Sequence, residues 1–309
     1  MRALYLTVLA LIGAIISPAL QANVTSAQAR ASGNVTRLNP ISEWNIDYGD
    51  NRCRLLRVFG TKEEPHVLFF VQSAPGSSFS MTLARPASKP CANSRRSYLG
   101  LRDDAIMRKL DLAGRGTVNG FGAAMILSSF ALGQTAEEEA AEEAQADVTP
   151  KMRSAGIDLR KAETAESVTL KLNRRVLSFE TGPMKAPFEA LNTCTGSMMA
   201  EWGLDAERHQ NYRPAQLTNA KAVARAVANK YPRKALNKGE SAIFQMRMIV
   251  EPDGKASNCH LEQNTIADNL DSPACQIAIA TAEFEPARDA EGQTLRSFYT
   301  TSVTYSINP

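Results

Sequence analysis

Residues 241–263 read SAIFQMRMIVEPDGKASNCHLEQ, and this stretch decides the fold of the region around it. Phe244, Met246, Met248 and Val250 alternate with Gln245 and Arg247, the period-two pattern of a half-buried strand. Glu251-Pro252-Asp253-Gly254 then supplies a fixed φ at proline and a residue free to take a positive one at glycine, which is turn chemistry. The chain returns over 255–263 with Cys259 and Leu261 on one face, so the stretch reads as a β-hairpin.

Helices flank the hairpin. Upstream, Thr218 or Asn219 can cap a helix whose apolar stripe is Ala222, Val223, Ala226 and Val227. It stops at Tyr231-Pro232, because a residue before proline is pushed out of helical geometry. Downstream, Ser272 serves as N-cap and Pro273 fits the first turn of a second helix, with the stripe Cys275, Ala278, Ile279 and Ala282. Cys275 heads the face that must pack on the sheet. If Cys259 points to the same side, the two sulfurs can meet, and closing a loop of that length stabilises by about 3 kcal/mol. A module with so small a core gains from such a crosslink. Phe284-Glu285-Pro286-Ala287 ends the helix, Gly292 marks a turn, and the last strand is expected over 295–307. Tyr299, Val303, Tyr305 and Ile307 share one of its faces; Arg296, Thr300, Ser302 and Thr304 share the other. The expected fold is α+β, with helices on one side of a short antiparallel sheet.

In their order and spacing, Tyr231-Pro232, Gly239, Asp253-Gly254, Leu270-Asp271, Phe284-Glu285-Pro286-Ala287 and Gly292 resemble the TonB C-terminal domain family, over about residues 220–309. The resemblance implies an α+β fold and a periplasmic location. For the energy transducer itself it also implies docking on outer-membrane receptors, whose short box peptide adds a strand to the sheet edge. Two departures stand out. Ser241-Ala242 replaces the second glycine usual after Gly239, and Thr300 and Thr301 stand where a proline usually marks the start of the last strand.

The rest of the 309 residues leaves room for a second ordinary domain. Residues 1–22 read as a signal peptide, with Arg2 as the positive end, an apolar run over 3–16 and a cleavage region over 17–22. Retention as an anchor is the other reading, although the run is marginal for spanning and Pro18 ends it. A flexible leader over 23–43 follows, then a β-rich domain over 44–206, a linker over 207–217 and the C-terminal module over 218–309. Short apolar or alternating runs at 44–48, 54–60, 66–72, 79–84, 110–112, 167–172 and 176–179 carry the β texture. Residues 123–132 fit a strand or a helix. Residues 187–204 fit an amphipathic helix with Phe188, Leu191, Met198, Met199 and Trp202 inward. Residues 134–150 hold an acidic, alanine-rich insertion.

Five cysteines in an exported chain indicate an oxidising compartment. With Cys259 and Cys275 paired, Cys53, Cys91 and Cys194 remain, and their pairing stays open. His66, His209 and His260 lie in separate segments without metal-ligand spacing, so no metal or cofactor is expected. No GxSxG, SxxK, phosphate-loop or dinucleotide glycine pattern is present, and the chain is not expected to be an enzyme. From Ala220 onward ten basic and ten acidic residues balance, which disfavours nucleic acid as a partner.

The expected function is a periplasmic protein-interaction module for an envelope protein or peptide, possible partners including an outer-membrane receptor. Its docking strand would comprise Ser297, Phe298, Tyr299, Thr300, Thr301, Ser302, Val303, Thr304 and Tyr305. Two further readings stay open. One is a structural envelope protein that forms a homodimer through the same edge. The other is a membrane-anchored energy transducer, if the N-terminal helix is retained; the chain has no long Pro-Lys or Pro-Glu tract to serve that role.

Overall fold

The computed structural model describes residues 35–85, 97–101, 108–109, 113–133, 152–153, 156–172, 175–263 and 267–307. The signal segment, most of the leader, Cys91, the run at 110–112 and the acidic insertion lie outside the described residues.

The N-terminal part is mostly β. Its strands are β1 (Val35–Leu38), β2 (Asn45–Gly49), β3 (Arg52–Gly60), β4 (Pro65–Gln72), β5 (Ser78–Ala84), β6 (Ser97–Gly100), β7 (Arg108–Lys109), β8 (Ala113–Val118), β9 (Gly122–Ala131), β10 (Ser167–Leu172) and β11 (Arg175–Glu180). A short helix α1 (Leu159–Glu163) and the long α2 (Lys185–Glu201) complete it. One antiparallel sheet runs β2-β3-β4-β5-β9-β8, and a second runs β1-β11-β10-β6-β7, with β1 parallel to β11. Their inner faces share a core with α2. Phe59 meets Phe179 edge-on at 5.3 Å, and Phe70 meets Phe188 of α2 at 5.2 Å. Residues 123–132, ambiguous by pattern, form strand β9, because ladders to β5 on one side and β8 on the other satisfy its backbone. Cys53 of β3 is bonded to Cys194 of α2, with Cα atoms 6.0 Å apart, which closes the pairing that the sequence left open.

The C-terminal part begins with β12 (Gln216–Leu217), α3 (Ala220–Ala228) and α4 (Arg233–Lys238). It continues through β13 (Ala242–Val250), β14 (Ala256–Gln263), α5 (Ala274–Thr281), β15 (Phe284–Glu285) and β16 (Ser297–Tyr305). The sheet order is β14-β13-β16, antiparallel throughout; much of the second core gathers on its helix side, with Ile249 and Phe298 contributing from the other face. Val223 and Val227 of α3 and Ala274 and Ala278 of α5 pack on the helix side with Phe244, Met246 and Met248. The fold is the expected α+β.

Three local details refine the expectation. Ile279 is 40% exposed rather than part of the buried stripe. Helix α5 turns the small Ala274 and Ala278 inward instead, which lets it lie close enough to β14 for the Cys259–Cys275 bond, with Cα atoms 5.5 Å apart. Helix α4 was not expected. Its signature is a proline just before it and Gly239, at φ 68°, closing it. Asp253-Gly254 also has a structural reason. Gly254 has φ +82°, and a Cβ there would sit 2.3 Å from the Phe284 carbonyl oxygen. The Phe284 N–H donates to the Gly254 carbonyl at 3.2 Å, so these two motif pieces are one contact.

Candidate functional site: the outer strand of the C-terminal sheet

Strand β16 pairs with β13 along its whole length, from Ser297↔Val250 to Tyr305↔Ala242. Among the described residues no strand pairs with its other side. An unpaired edge offers a row of backbone N–H and C=O groups to another chain.

The register fixes which side chains flank that edge. Tyr299, Thr301 and Val303 lie opposite Met248, Met246 and Phe244, on the helix side. Phe298, Thr300, Ser302 and Thr304 lie opposite Ile249, Arg247, Gln245 and Ile243, on the other side. The nine expected docking residues are not equally available. Ser297, Phe298 and Tyr305 are buried, Tyr299, Thr300, Thr301 and Val303 are half-buried, and Ser302 and Thr304 are exposed. Tyr305 packs edge-on to Tyr231 at 5.0 Å and to Phe244 at 5.8 Å, with its hydroxyl 2.9 Å from Ser272 Oγ.

The start of β16 is enclosed by the segment expected to be a linker. His209 is fully buried there and stacks on Phe298 with ring centroids 6.0 Å apart, 4.7 Å from the Tyr212 ring. Its Nδ1 donates to the Asp205 carbonyl at 2.6 Å, which leaves Nε2 to accept from the Ser297 hydroxyl at 2.9 Å. Arg208 grips Asp289 at 2.6 Å and also donates to the Thr294 carbonyl. Burial pulls the His209 pKa below its usual value and pushes the Tyr212 hydroxyl up to about 12. Tyr212 and Ala215 belong to the second core. No periodic pattern marks these residues, because they follow the surface of the fold rather than one face of a helix or strand.

The second face of the sheet is also partly covered, by the N-terminal part. Arg247, on the polar face of the alternation, is only 8% exposed. Its guanidinium lies 3.9 Å from the centre of the Trp202 ring, and Nη2 donates to Asn51 at 3.1 Å. Its Nε and Nη1 have no hydrogen-bond partner, so the π face carries much of the load. Burial lowers the Arg247 pKa, while Glu262 opposes that shift. Glu262 itself pairs with Arg52, and Arg296 donates to the Trp202 and Gly203 carbonyls while pairing with Glu251 at 3.0 Å. Asn51 and Arg52 sit beside Cys53, and Trp202 follows the helix that carries Cys194. The Cys53–Cys194 bond therefore ties together both halves of the surface facing Arg247.

The remaining motif residues hold the sheet rather than line its edge. Tyr231 donates its hydroxyl to the Glu240 carbonyl, Leu270 and Ala287 are buried, Phe284 packs on Tyr299 at 5.2 Å, and Asp271 is exposed. Pro232 precedes α4, and Pro286 approaches Gly254. Among the described residues no cluster of His, Cys, Asp and Glu could hold a metal, and no helix is long and apolar enough to cross a membrane.

This geometry defines a class: a small helix-backed sheet whose last strand has a partner on one side only. Comparison with known families makes the class specific. Residues 227–307 match the C-terminal domain of the Gram-negative bacterial TonB protein, the family that the motif order resembles. That domain serves protein interaction at the bacterial envelope. Neither the search of curated proteins nor the search of solved structures found a match.

Proposed function

We propose that the protein acts in the periplasm by binding an extended peptide from another envelope protein, which adds a strand to the outer side of β16. The observation that supports this reading is the single-sided pairing of β16. The accessible stretch is Tyr299–Thr304, since His209 and Trp202 enclose the first two residues of the strand and Tyr305 is buried against Tyr231. A peptide there meets Tyr299 and Val303 on the helix side and Thr300, Ser302 and Thr304 on the other. It therefore needs alternating apolar and polar side chains. In this reading the β-rich part over 44–206 is a support that holds the sheet by its second face. Binding needs no catalytic group or cofactor.

The test is an amide-resolved NMR titration of the full chain with box peptides of outer-membrane receptors. Shifts should concentrate in residues 299–304 and in their partners on β13. Shifts confined to the N-terminal part would overturn the assignment. So would a concentration-independent dimer that already occupies the edge.

A further inference from the structure

The C-terminal module is neutral by count, but its charges are segregated. Of its ten basic residues, six fall between Asn219 and Gly239: Lys221, Arg225, Lys230, Arg233, Lys234 and Lys238. No acidic residue lies in that span. All six are exposed, and none forms an ion pair among the described residues. The module's other four basic residues are engaged: Lys255 and Arg296 pair with carboxylates, Arg247 stacks on Trp202, and Arg288 donates to the Gly292 carbonyl. The six cations sit on α3, on α4 and on the turn between them, and only Lys238 has a nearby carboxylate, that of Glu240. The apolar faces of these helices are already committed, through Val223 and Val227 on α3 and Ala235 on α4. The cations must therefore point away from the fold.

A second observation separates this patch from an ordinary solvated face. Leu236 of α4 is 50% exposed and lies one helical turn from the exposed Arg233, on a helix whose other charged residues, Lys234 and Lys238, are also exposed cations. An exposed apolar side chain on a cationic helix is poorly matched to a nucleic-acid backbone. It is well matched to the headgroup–acyl boundary of a bilayer, where the cations meet lipid phosphates and the leucine enters the apolar layer. We infer that the α3–α4 surface is a contact site for the anionic phospholipid face of a membrane. Tyr231, between these helices, packs on Tyr305, so the contact would bring the far end of β16 close to the lipid.

The experiment is co-sedimentation of the full chain with vesicles of phosphatidylcholine alone and of phosphatidylcholine with about one-third phosphatidylglycerol. The apolar run over 3–16 would bind both vesicles alike, so the readout is the difference between them. At low salt the anionic vesicles should be preferred, and the preference should collapse near 0.5 M salt, where charges are screened over about 4 Å. Each cation is worth roughly a fivefold change in partitioning. Arg233→Gln/Lys234→Gln/Lys238→Gln should therefore lower the preference by about a hundredfold. Leu236→Ser should weaken binding at unchanged charge and leave any binding to a soluble polyanion untouched. Equal binding to both vesicles, a preference that survives the triple substitution, or indifference to Leu236→Ser would each overturn the inference. A circular dichroism melt of each variant checks the fold, and the salt dependence of the unmodified chain is decisive without any variant.

Discussion

The two disulfides close loops of very different size, and stability should show it. Cys53 and Cys194 are 141 residues apart in sequence, Cys259 and Cys275 only 16. Chain entropy scales with the logarithm of the closed loop, which gives about 5 kcal/mol for the long loop and about 3 kcal/mol for the short one at 25 °C. Both Cys53 and Cys194 are in the first core, so replacing them with alanine also leaves small voids, which adds to the larger loss. The assay is equilibrium urea unfolding of Cys53→Ala/Cys194→Ala and of Cys259→Ala/Cys275→Ala. Both are made on Cys91→Ala so that the fifth thiol cannot exchange. Trp44 packs on the first core and Trp202 on both, so tryptophan fluorescence follows each part of the molecule. Where the two parts unfold in separate steps, each bond is read on the step of its own part. The first double variant should lose about 2 kcal/mol more than the second. Equal losses, or a larger loss from the short loop, would refute the loop-closure reasoning. Unchanged midpoints in both would mean that the thiols are free.

Two further perturbations test the contacts around the sheet. Arg247→Ala removes the stacked cation from Trp202 and should cost about 2 kcal/mol. In a double-mutant cycle with Trp202→Phe, additive losses would show that the pair is not coupled. His209 is held neutral by burial, so the unfolded chain binds its proton more readily than the folded chain does. Its contribution is complete above about pH 6.5 and is lost as pH falls through the lower folded pKa. The fall in stability between pH 7.5 and 5.5 should thus be smaller in His209→Gln than in the unmodified chain, and identical slopes would sink this account. The comparison is needed because burial also lowers the pKa of His260, which contributes a slope of the same sign.

Much of the C-terminal fold was legible because its residues obey local rules. Alternation of Phe244, Met246 and Met248 specifies a strand, Pro252 to Gly254 specify its turn, and Cys259 and Cys275 fall on facing sides of a strand and a helix. What the sequence could not show depends on long-range neighbours. Arg247 occupies a polar slot in the alternation, and only the distant Trp202 and Asn51 make that slot buried. His209 sits in a polar stretch without periodicity, and only contact with Ser297 and Phe298 draws it into the core. The Cys53–Cys194 bond joins segments whose approach is set by the packing of α2 on β3, which spacing alone does not encode. Residues 123–132 were ambiguous because short apolar runs fit either period until their neighbours are known.

The covering of the second sheet face bears directly on how a partner can approach. A bare three-stranded sheet with helices on one side leaves its other face open as well as its edges. Here Trp202 and Asn51 close over Arg247, and Arg52 holds Glu262, so that face is partly taken up within the chain. At one end of β16, His209 and Tyr212 enclose Phe298; at the other, Tyr231 packs on Tyr305. Between these two closures lie the half-buried and exposed residues from Tyr299 to Thr304, whose outer backbone edge no strand pairs among the described residues. Both closures are built from aromatic rings, which lose little rotamer entropy on packing and so hold the strand straight at small cost. A strand held at both ends is already in the shape its partner must match. Ordering it on binding therefore removes little affinity, and most of each new backbone hydrogen bond is retained.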